Sequence, residues 1–163
     1  MFTIKAEPIT HESFAPFGSF YSMTNPDGCS LNGELHRFFP DRLSVPYASQ
    51  AGFSSILVKK PEVMKITQVE HHFTTPEIIM PLNDDMIIHV SPASGTLPQT
   101  ELTKAFIVPK GTMVKSNSDI WHLAPMPAYA DELNALIGLP ECVYALDCPV
   151  IDLEPEQQFM NEL

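Results

Sequence analysis

Short apolar segments separated by turn residues run through most of the chain. Sixteen prolines and seven glycines divide it into stretches of about five to nine residues, a length typical of strands. The stretches that are rich in β-branched residues occupy 53–60, 62–73, 77–82, 85–92, 102–109 and 142–147. This spacing predicts an all-β protein, built as a sandwich or a small barrel.

Two short stretches carry helix signals. Thr10 can cap a helix over the segment HESFAPF, which ends before Gly18. The segment ADELNALIG can form a second helix, with Gly138 at its end. Helix is therefore a minor part of the predicted fold.

No internal repeat, low-complexity tract or linker interrupts the sequence, so we expect one domain over residues 1–163. Residues 1–50 are rich in turn residues and predict a loop-rich arm with a short helix. Residues 51–150 hold most of the predicted strands and should form the barrel core, and 151–163 is predicted to be a solvated acidic tail. Barrels of this type often pair edge strands between subunits, so we also expect a homodimer.

Charge, hydropathy and cysteine content limit the classes of partner and the cellular location that we expect. Nine Lys and Arg residues against twenty Asp and Glu residues give a net charge of −11, which opposes binding to nucleic acid and to anionic membranes. No apolar run approaches the roughly 20 residues that span a bilayer, and the first residues do not resemble a signal peptide. Three cysteines at unrelated spacings predict no disulfide framework. We expect a cytoplasmic protein.

The negative charge also constrains the ligand. A site for a carboxylate must supply its own local cation, and a guanidinium binds a carboxylate best because it donates two parallel hydrogen bonds. Arg37 and Arg42 are the only arginines in the chain. These two arginines are therefore the candidates to bind a small carboxylate substrate.

The densest polar cluster in an apolar region is Glu70, His71 and His72, followed by Glu77. In an extended chain Glu70 and His72 share a face, whereas His71 points the other way. Glu77 follows a bend and can return to the face of Glu70 and His72. The spacing predicts a site with paired carboxylates and an imidazole.

A later segment can complete this site. Pro109, Lys110 and Gly111 form a predicted turn, and Asn117 and His122 follow it. Two imidazoles and two carboxylates suit a divalent metal ion such as manganese, iron or zinc, and they suit metal-free acid–base catalysis equally well. The candidate ligands and catalytic groups are Glu70, His72, Glu77 and His122.

Four stretches resemble known motifs. The residues from Glu70 to Glu77 resemble the first cupin motif, with Glu70 at the position of its first histidine. EHHFTTPEIIMPL at 70–82 and AFIVPKGTMVKSNSDIWH at 105–122 resemble segments of the ureidoglycolate lyase family. ITHESFAPFG at 9–18 and LNGELHRF at 31–38 resemble that family's opening helix and the segment that carries its arginine, here Arg37. The resemblance implies a cupin-type β-barrel, or jelly roll, that acts in allantoin breakdown.

The same resemblance implies a reaction and roles. Ureidoglycolate would be cleaved to glyoxylate and urea, with no cofactor required. Arg37, Asn117 and Trp121 would contact the substrate, His72 or Glu77 would be the base, and His122 the acid. Glu70 would orient an imidazole or hold a metal.

Several positions depart from the resemblance. Val114 stands where the second cupin motif has a histidine, Glu77 and Asn117 where the family usually has glutamine and histidine, and Asp84 where a turn glycine is common. His71 replaces an arginine that is typical of the family. Two other functions therefore stay open: a metal-dependent cupin oxygenase or isomerase on a small oxo or hydroxy acid, and a ligand-binding cupin without activity. Trp121 has a structural alternative to substrate contact, as a wall or core aromatic residue. His11, His36, His71 and His89 are expected to be surface or core residues outside the site.

Overall fold

The computed structural model describes residues 1–163, and nearly all regular structure in it is β-strand. The strands are β1 (Phe2–Lys5), β2 (Glu7–Pro8), β3 (Gly18–Ser22), β4 (Leu31–Asn32), β5 (Arg37–Phe38), β6 (Ala51–Lys59), β7 (Lys65–Ile66), β8 (Gln68–Glu70), β9 (Glu77–Pro81), β10 (Met86–Val90), β11 (Lys104–Val108), β12 (Thr112–Ser116), β13 (Met126–Pro127), β14 (Glu132–Pro140), β15 (Val150–Asp152) and β16 (Phe159–Glu162). The helices are α1 (His11–Phe14), α2 (Val143–Leu146) and a 3₁₀ turn over Thr100–Leu102. This content confirms the predicted all-β class.

Two sheets enclose the main core. One has the strand order β3-β12-β9-β14-β6 and the other β13-β10-β11-β2. Alternate residues of both sheets point inward into one cluster of apolar side chains, as sheet packing requires. This cluster includes Ile79 and Val114 from the first sheet and Ile88, Phe106 and Val108 from the second. A small cavity lies between the same two sheets.

The N-terminal helix forms where the sequence predicts it, although it is shorter. The Thr10 hydroxyl accepts a hydrogen bond from the backbone N–H of Ser13, and the Ser13 hydroxyl in turn accepts one from the Thr10 N–H. This reciprocal capping satisfies amide groups that would otherwise be unpaired at the helix start. Phe14, the last residue of the helix, is fully buried in the core.

The predicted second helix is wrong, because its residues form strand β14. Leu133, Ala135, Ile137 and Leu139 all point into the core, which is the two-residue period of a strand. The long pairing of β14 with β6 and β9 outweighs the helix propensity of alanine, leucine and glutamate.

The predicted strand at 142–147 is also wrong, because it contains α2. Cys142 adopts a left-handed conformation with φ 63°, which turns the chain sharply after β14. Of the helical residues only Val143 is buried, while Tyr144 and Leu146 are exposed. A β-branched, aromatic composition alone does not distinguish such a turn from a strand.

The C-terminal segment is not a solvated tail. β16 pairs in parallel with β1 and antiparallel with β7, and Leu153 and Phe159 are buried. Burial of these two apolar side chains stabilises the segment despite its acidic residues. The first fifty residues are only partly loop, because β3 belongs to the main sheet. The loop-rich part of the arm is residues 23–50, where the short pair β4 and β5 is the regular structure.

The three cysteines are free thiols. None of the helices has the length and apolar character that crossing a bilayer demands.

Candidate active site

Backbone pairing fixes the first two site residues against each other. The Glu70 N–H donates to the His122 carbonyl at 2.7 Å, and the His122 N–H donates to the Glu70 carbonyl at 2.8 Å. Residue 71 then turns its side chain away, so that His72 returns to the side of Glu70, as the alternation predicts. Glu77 begins β9 and pairs with Ser116 at the end of β12.

These residues converge in the interior. His72, Glu77 and His122 are buried, and one potential ligand atom from each lies within 4.8 Å of the others. His122 Nε2 lies 3.1 Å from Glu77 Oε2 and 4.0 Å from Glu70 Oε1. We call Glu70, His72, Glu77 and His122 the site cluster.

Both imidazoles are oriented by backbone carbonyls. His72 Nδ1 lies 2.8 Å from the Asp147 carbonyl, and His122 Nδ1 lies 2.8 Å from the Ile120 carbonyl. Because a carbonyl oxygen only accepts, each Nδ1 must carry the hydrogen. The Nε2 atoms therefore face the cluster, and neither has a hydrogen-bond partner there.

The contact between His122 and Glu77 is an ion pair. Burial alone would lower the pKa of His122, but the charge and proximity of Glu77 raise it to about 9. Burial opposes ionisation of Glu77, yet His122 and the nearby His72 lower its pKa below the ordinary value. The short distance combined with an unsatisfied Nε2 indicates electrostatic attraction rather than an aligned hydrogen bond.

A small cavity adjoins the ion pair. Its volume is ≈ 20 Å³, and its lining includes Glu77, Ser116 and His122 beside the apolar side chains of Ile88 and Val90. A space of this size holds a water molecule or an ion. A larger cavity of ≈ 190 Å³ lies beside α2, where Thr74 and Asp147 belong to its wall.

The segment around α2 covers the site cluster, and sequence reasoning missed it. The Cys148 thiol donates to Glu70 Oε2 at 3.3 Å, and burial together with Glu70 raises the pKa of Cys148 to about 12. The Tyr144 ring meets the His72 ring edge to face, with centroids 6.4 Å apart. Burial raises the pKa of Tyr144 to about 12, with Glu77 and Glu70 adding to the effect. The segment was predicted as a strand, and nothing local indicates these contacts.

Two of the proposed substrate contacts lie apart from the site cluster. Arg37 is exposed, its guanidinium lies 5.1 Å from the centre of the Phe39 ring, and no hydrogen bond or ion pair joins it to the cluster. Asn117 is exposed, and its backbone N–H donates to the Phe17 carbonyl.

Trp121 has no exposed surface. Its ring stacks on His71 with centroids 3.8 Å apart, and its indole N–H donates to the Ser94 hydroxyl. His71 Nδ1 lies 2.6 Å from Asp119 Oδ1. The tryptophan thus packs against His71 on the far side of the strand rather than facing the cavity.

Comparison with known proteins decides the family. Residues 1–137 match the family model described as ureidoglycolate lyase. The chain belongs to the ureidoglycolate lyase family. The ureidoglycolate lyase of Pseudomonas aeruginosa (strain LESB58) is 28% identical over 126 residues, which cover 75% of each chain. That of Pseudomonas savastanoi pv. phaseolicola (strain 1448A / Race 6) is 29% identical over 122 residues, covering 71% of each chain.

One solved structure supports the fold assignment. A dTDP sugar isomerase from Desulfovibrio desulfuricans G20 superposes with a TM-score of 0.53 at 7% identity, covering 87% of this chain and 89% of that chain. This likeness confirms the cupin-type architecture. The match to the ureidoglycolate lyase family spans the whole site cluster but ends before α2.

Proposed function

We propose that this member of the ureidoglycolate lyase family cleaves ureidoglycolate to glyoxylate and urea. One observation carries the proposal: two buried imidazoles point their Nε2 atoms at a shared carboxylate. Glu77 holds His122 as an imidazolium by raising its pKa to about 9, and in this proposal His72 is the neutral partner that acts as the base. A lyase of this kind needs one base and one acid at the same carbon centre.

In this reaction His72 acts as the base and His122 as the acid. His72 Nε2 accepts the proton of the carbinol hydroxyl, and the O–H electrons form the new carbonyl of glyoxylate. The C–N bond breaks, and His122 Nε2–H donates its proton to the departing nitrogen of urea. No oxidation or reduction occurs, and one proton returns from His72 to His122 through solvent after the products leave.

The carboxylates maintain this division of roles. Glu77 keeps His122 charged before the reaction, and its negative charge also attracts a proton to His72 as the hydroxyl ionises. Glu70 is more exposed and lies farther from His122 Nε2. In this proposal it orients His122, to which its backbone is paired.

The substrate carboxylate requires a cation, and Arg37 remains the proposed one. Its guanidinium is exposed and lies against the Phe39 ring, with no ion pair to hold it in place, so the side chain is free to move toward a substrate. Asn117, also exposed, is proposed to donate its amide at the mouth of the site. Because the cavity beside the ion pair holds about one water molecule, entry of the substrate displaces the covering segment around α2.

The same residues fit a divalent metal ion. Two buried Nε2 atoms without partners and a buried carboxylate form a mixed nitrogen and oxygen set, which suits manganese, iron or zinc. His72, Glu77 and His122 would hold the ion, with each Nδ1–H fixed by a carbonyl as metal-bound histidines usually are. A bound ion would supply Lewis acidity toward the substrate carboxylate or hydroxyl.

This fit favours a second candidate function, a metal-dependent isomerase or oxygenase on a small oxo or hydroxy acid. Elemental analysis after gentle purification separates the candidates. Stoichiometric metal, with activity lost on chelation, supports the metal-dependent function. A content below about 0.1 ion per chain supports the metal-free lyase.

The direct test of the lyase is product analysis. Purified protein incubated with ureidoglycolate should release urea and glyoxylate in equal amounts, with no ammonia. Release of ammonia would indicate hydrolysis of the ureido group instead. Absence of turnover, with a rise in melting temperature when glyoxylate is added, would indicate a ligand-binding protein without activity.

The homodimer and the cytoplasmic location stay predictions, and sedimentation analysis tests the first.

A further inference from the structure

Asp147 contacts His72 and its neighbours through two different groups. Its backbone carbonyl accepts the hydrogen bond from His72 Nδ1 at 2.8 Å. Its carboxylate accepts from the Phe73 N–H at 2.8 Å, from the Thr74 N–H at 2.9 Å and from the Thr74 hydroxyl at 2.6 Å. Asp147 thus makes four hydrogen bonds with residues 72–74, the segment that carries His72.

The carbonyl of Asp147 selects one tautomer of His72. Because the carbonyl oxygen only accepts, Nδ1 must carry a hydrogen, and the neutral ring then has its lone pair on Nε2. The opposite tautomer would place the Nδ1 lone pair against the carbonyl oxygen of Asp147. That contact is repulsive, so the pairing with Asp147 determines which nitrogen carries the hydrogen.

The position of this carbonyl depends on the carboxylate of the same residue. Asp147 ends α2, a helix of only four residues, in an irregular conformation with φ −151° and ψ 53°. Tyr144 and Leu146 are exposed, so Val143 supplies the one buried side chain of the helix. The three hydrogen bonds to Phe73 and Thr74 are therefore the main contacts that hold the end of α2 against His72.

We propose that Asp147 is a positioning residue that holds His72 in the Nδ1–H tautomer, with the Nε2 lone pair facing Glu77 and His122. The tautomer is inferred from hydrogen bonds alone, whereas its role in catalysis rests on the proposed function. Loss of the carboxylate frees the end of α2 and lets His72 sample the other tautomer and other ring orientations.

Nitrogen-15 NMR of the histidine rings tests the proposal without reference to activity. Proteins labelled at histidine are compared as wild type, Asp147→Ala, Asp147→Asn and Thr74→Val, and His72→Gln assigns the signal. In the wild type, neutral His72 should show a protonated Nδ1 and an unprotonated Nε2. In Asp147→Ala the two shifts should move toward each other as the tautomers mix. Asp147→Asn should restore part of the separation, because its amide oxygen still accepts one or two of the three hydrogen bonds.

Two controls lie within the same spectra. His122 is oriented by the Ile120 carbonyl, so its signals should keep the wild-type pattern in every Asp147 variant and show that the fold is intact. Asp119→Ala removes the partner of His71 and should alter His71 while leaving His72 unchanged. Thr74→Val removes one hydrogen bond and gives a milder variant if Asp147→Ala does not fold.

The kinetic effects should rank the Asp147 variants in the same order as their effects on the His72 signals. Asp147→Ala should lower kcat for ureidoglycolate by about tenfold to 100-fold, the usual cost of losing a group that orients an active-site imidazole, with KM little changed. Asp147→Asn should recover part of the loss. A wild-type His72 protonated at Nε2, or an unchanged His72 signal in Asp147→Ala, overturns the proposal. Correct tautomers in a protein that does not turn over ureidoglycolate would refute the proposed function and leave the positioning role intact.

Discussion

His122 Nε2 lies 3.1 Å from Glu77 Oε2, while the other nitrogen of the same ring donates to the Ile120 carbonyl. If His122 were neutral beside an ionised Glu77, a lone pair would face an acceptor oxygen at close range. A proton or a metal cation must therefore lie between the two atoms. The charge of Glu77 raises the pKa of His122 to about 9, which favours a proton carried by His122, and a divalent ion is the alternative.

Replacing Glu77 with glutamine should remove the charge that keeps His122 protonated. Burial would then lower the pKa of His122, so the acid would be deprotonated at neutral pH. We expect kcat for urea release to fall by about 100-fold or more, the usual contribution of a general acid. The loss of activity at high pH, near pH 9 in the wild type, should move to lower pH.

Glu70→Gln is the matched control for this variant. Glu70 lies farther from His122 Nε2 and is more exposed, so its loss should shift the alkaline limit much less. Equal shifts in the two variants would show that Glu77 has no special part in charging His122.

Stability should be greatest near pH 6.5. The pKa of His122 is raised from 6.5 to about 9, so its contribution is fully present below pH 6.5 and is lost as the pH rises through 9. The pKa of buried His89 is lowered from 6.5 to about 3 by burial and by His122, so folding becomes less favourable as the pH falls below 6.5. Glu77, with its lowered pKa, adds a further loss at acid pH.

Thermal unfolding of chelator-treated protein across the pH range measures this effect. We expect a melting temperature that decreases on both sides of the maximum, and a flatter alkaline side in Glu77→Gln. A wild-type melting temperature that stays level from neutral pH to above pH 9 would contradict the raised pKa of His122.

Arg37→Ala tests the proposed carboxylate contact. Removing a charged hydrogen bond to the substrate should weaken binding by about 1.5 to 3 kcal/mol. KM should therefore rise by roughly tenfold to 150-fold, with kcat less affected. Arg42→Ala is the matched control, since its guanidinium lies over the Tyr21 ring in the same arm. The contact is excluded if the two variants share the KM of the wild type.

Strand alternation predicted the central part of the site. The two-residue period of an extended chain places Glu70 and His72 on one face and His71 on the other, and the structure has this arrangement. The proximity of His122 followed from the order of the strands within the resemblance. Such features are visible in a sequence because they depend on local geometry and on a shared fold.

The covering segment could not be predicted in the same way. Leu133 to Leu139 combines strong helix formers with a strand period, and only the long pairing with its neighbours resolves the conflict. Asp147 and Cys148 reach the cluster through contacts with residues more than seventy positions away. Nothing in the local sequence encodes such contacts, so the residues that orient His72 and close the site became visible only in the structure.

The kinetics of His72→Gln, His122→Gln and the double variant test the central claim most directly. If the two imidazoles act as one base and acid pair, each single variant should lose about 100-fold to 10,000-fold in kcat for urea release, and the double variant should lose little more than the worse single one. Single variants that keep most of the wild-type kcat, or losses that simply multiply in the double variant, would contradict the pair.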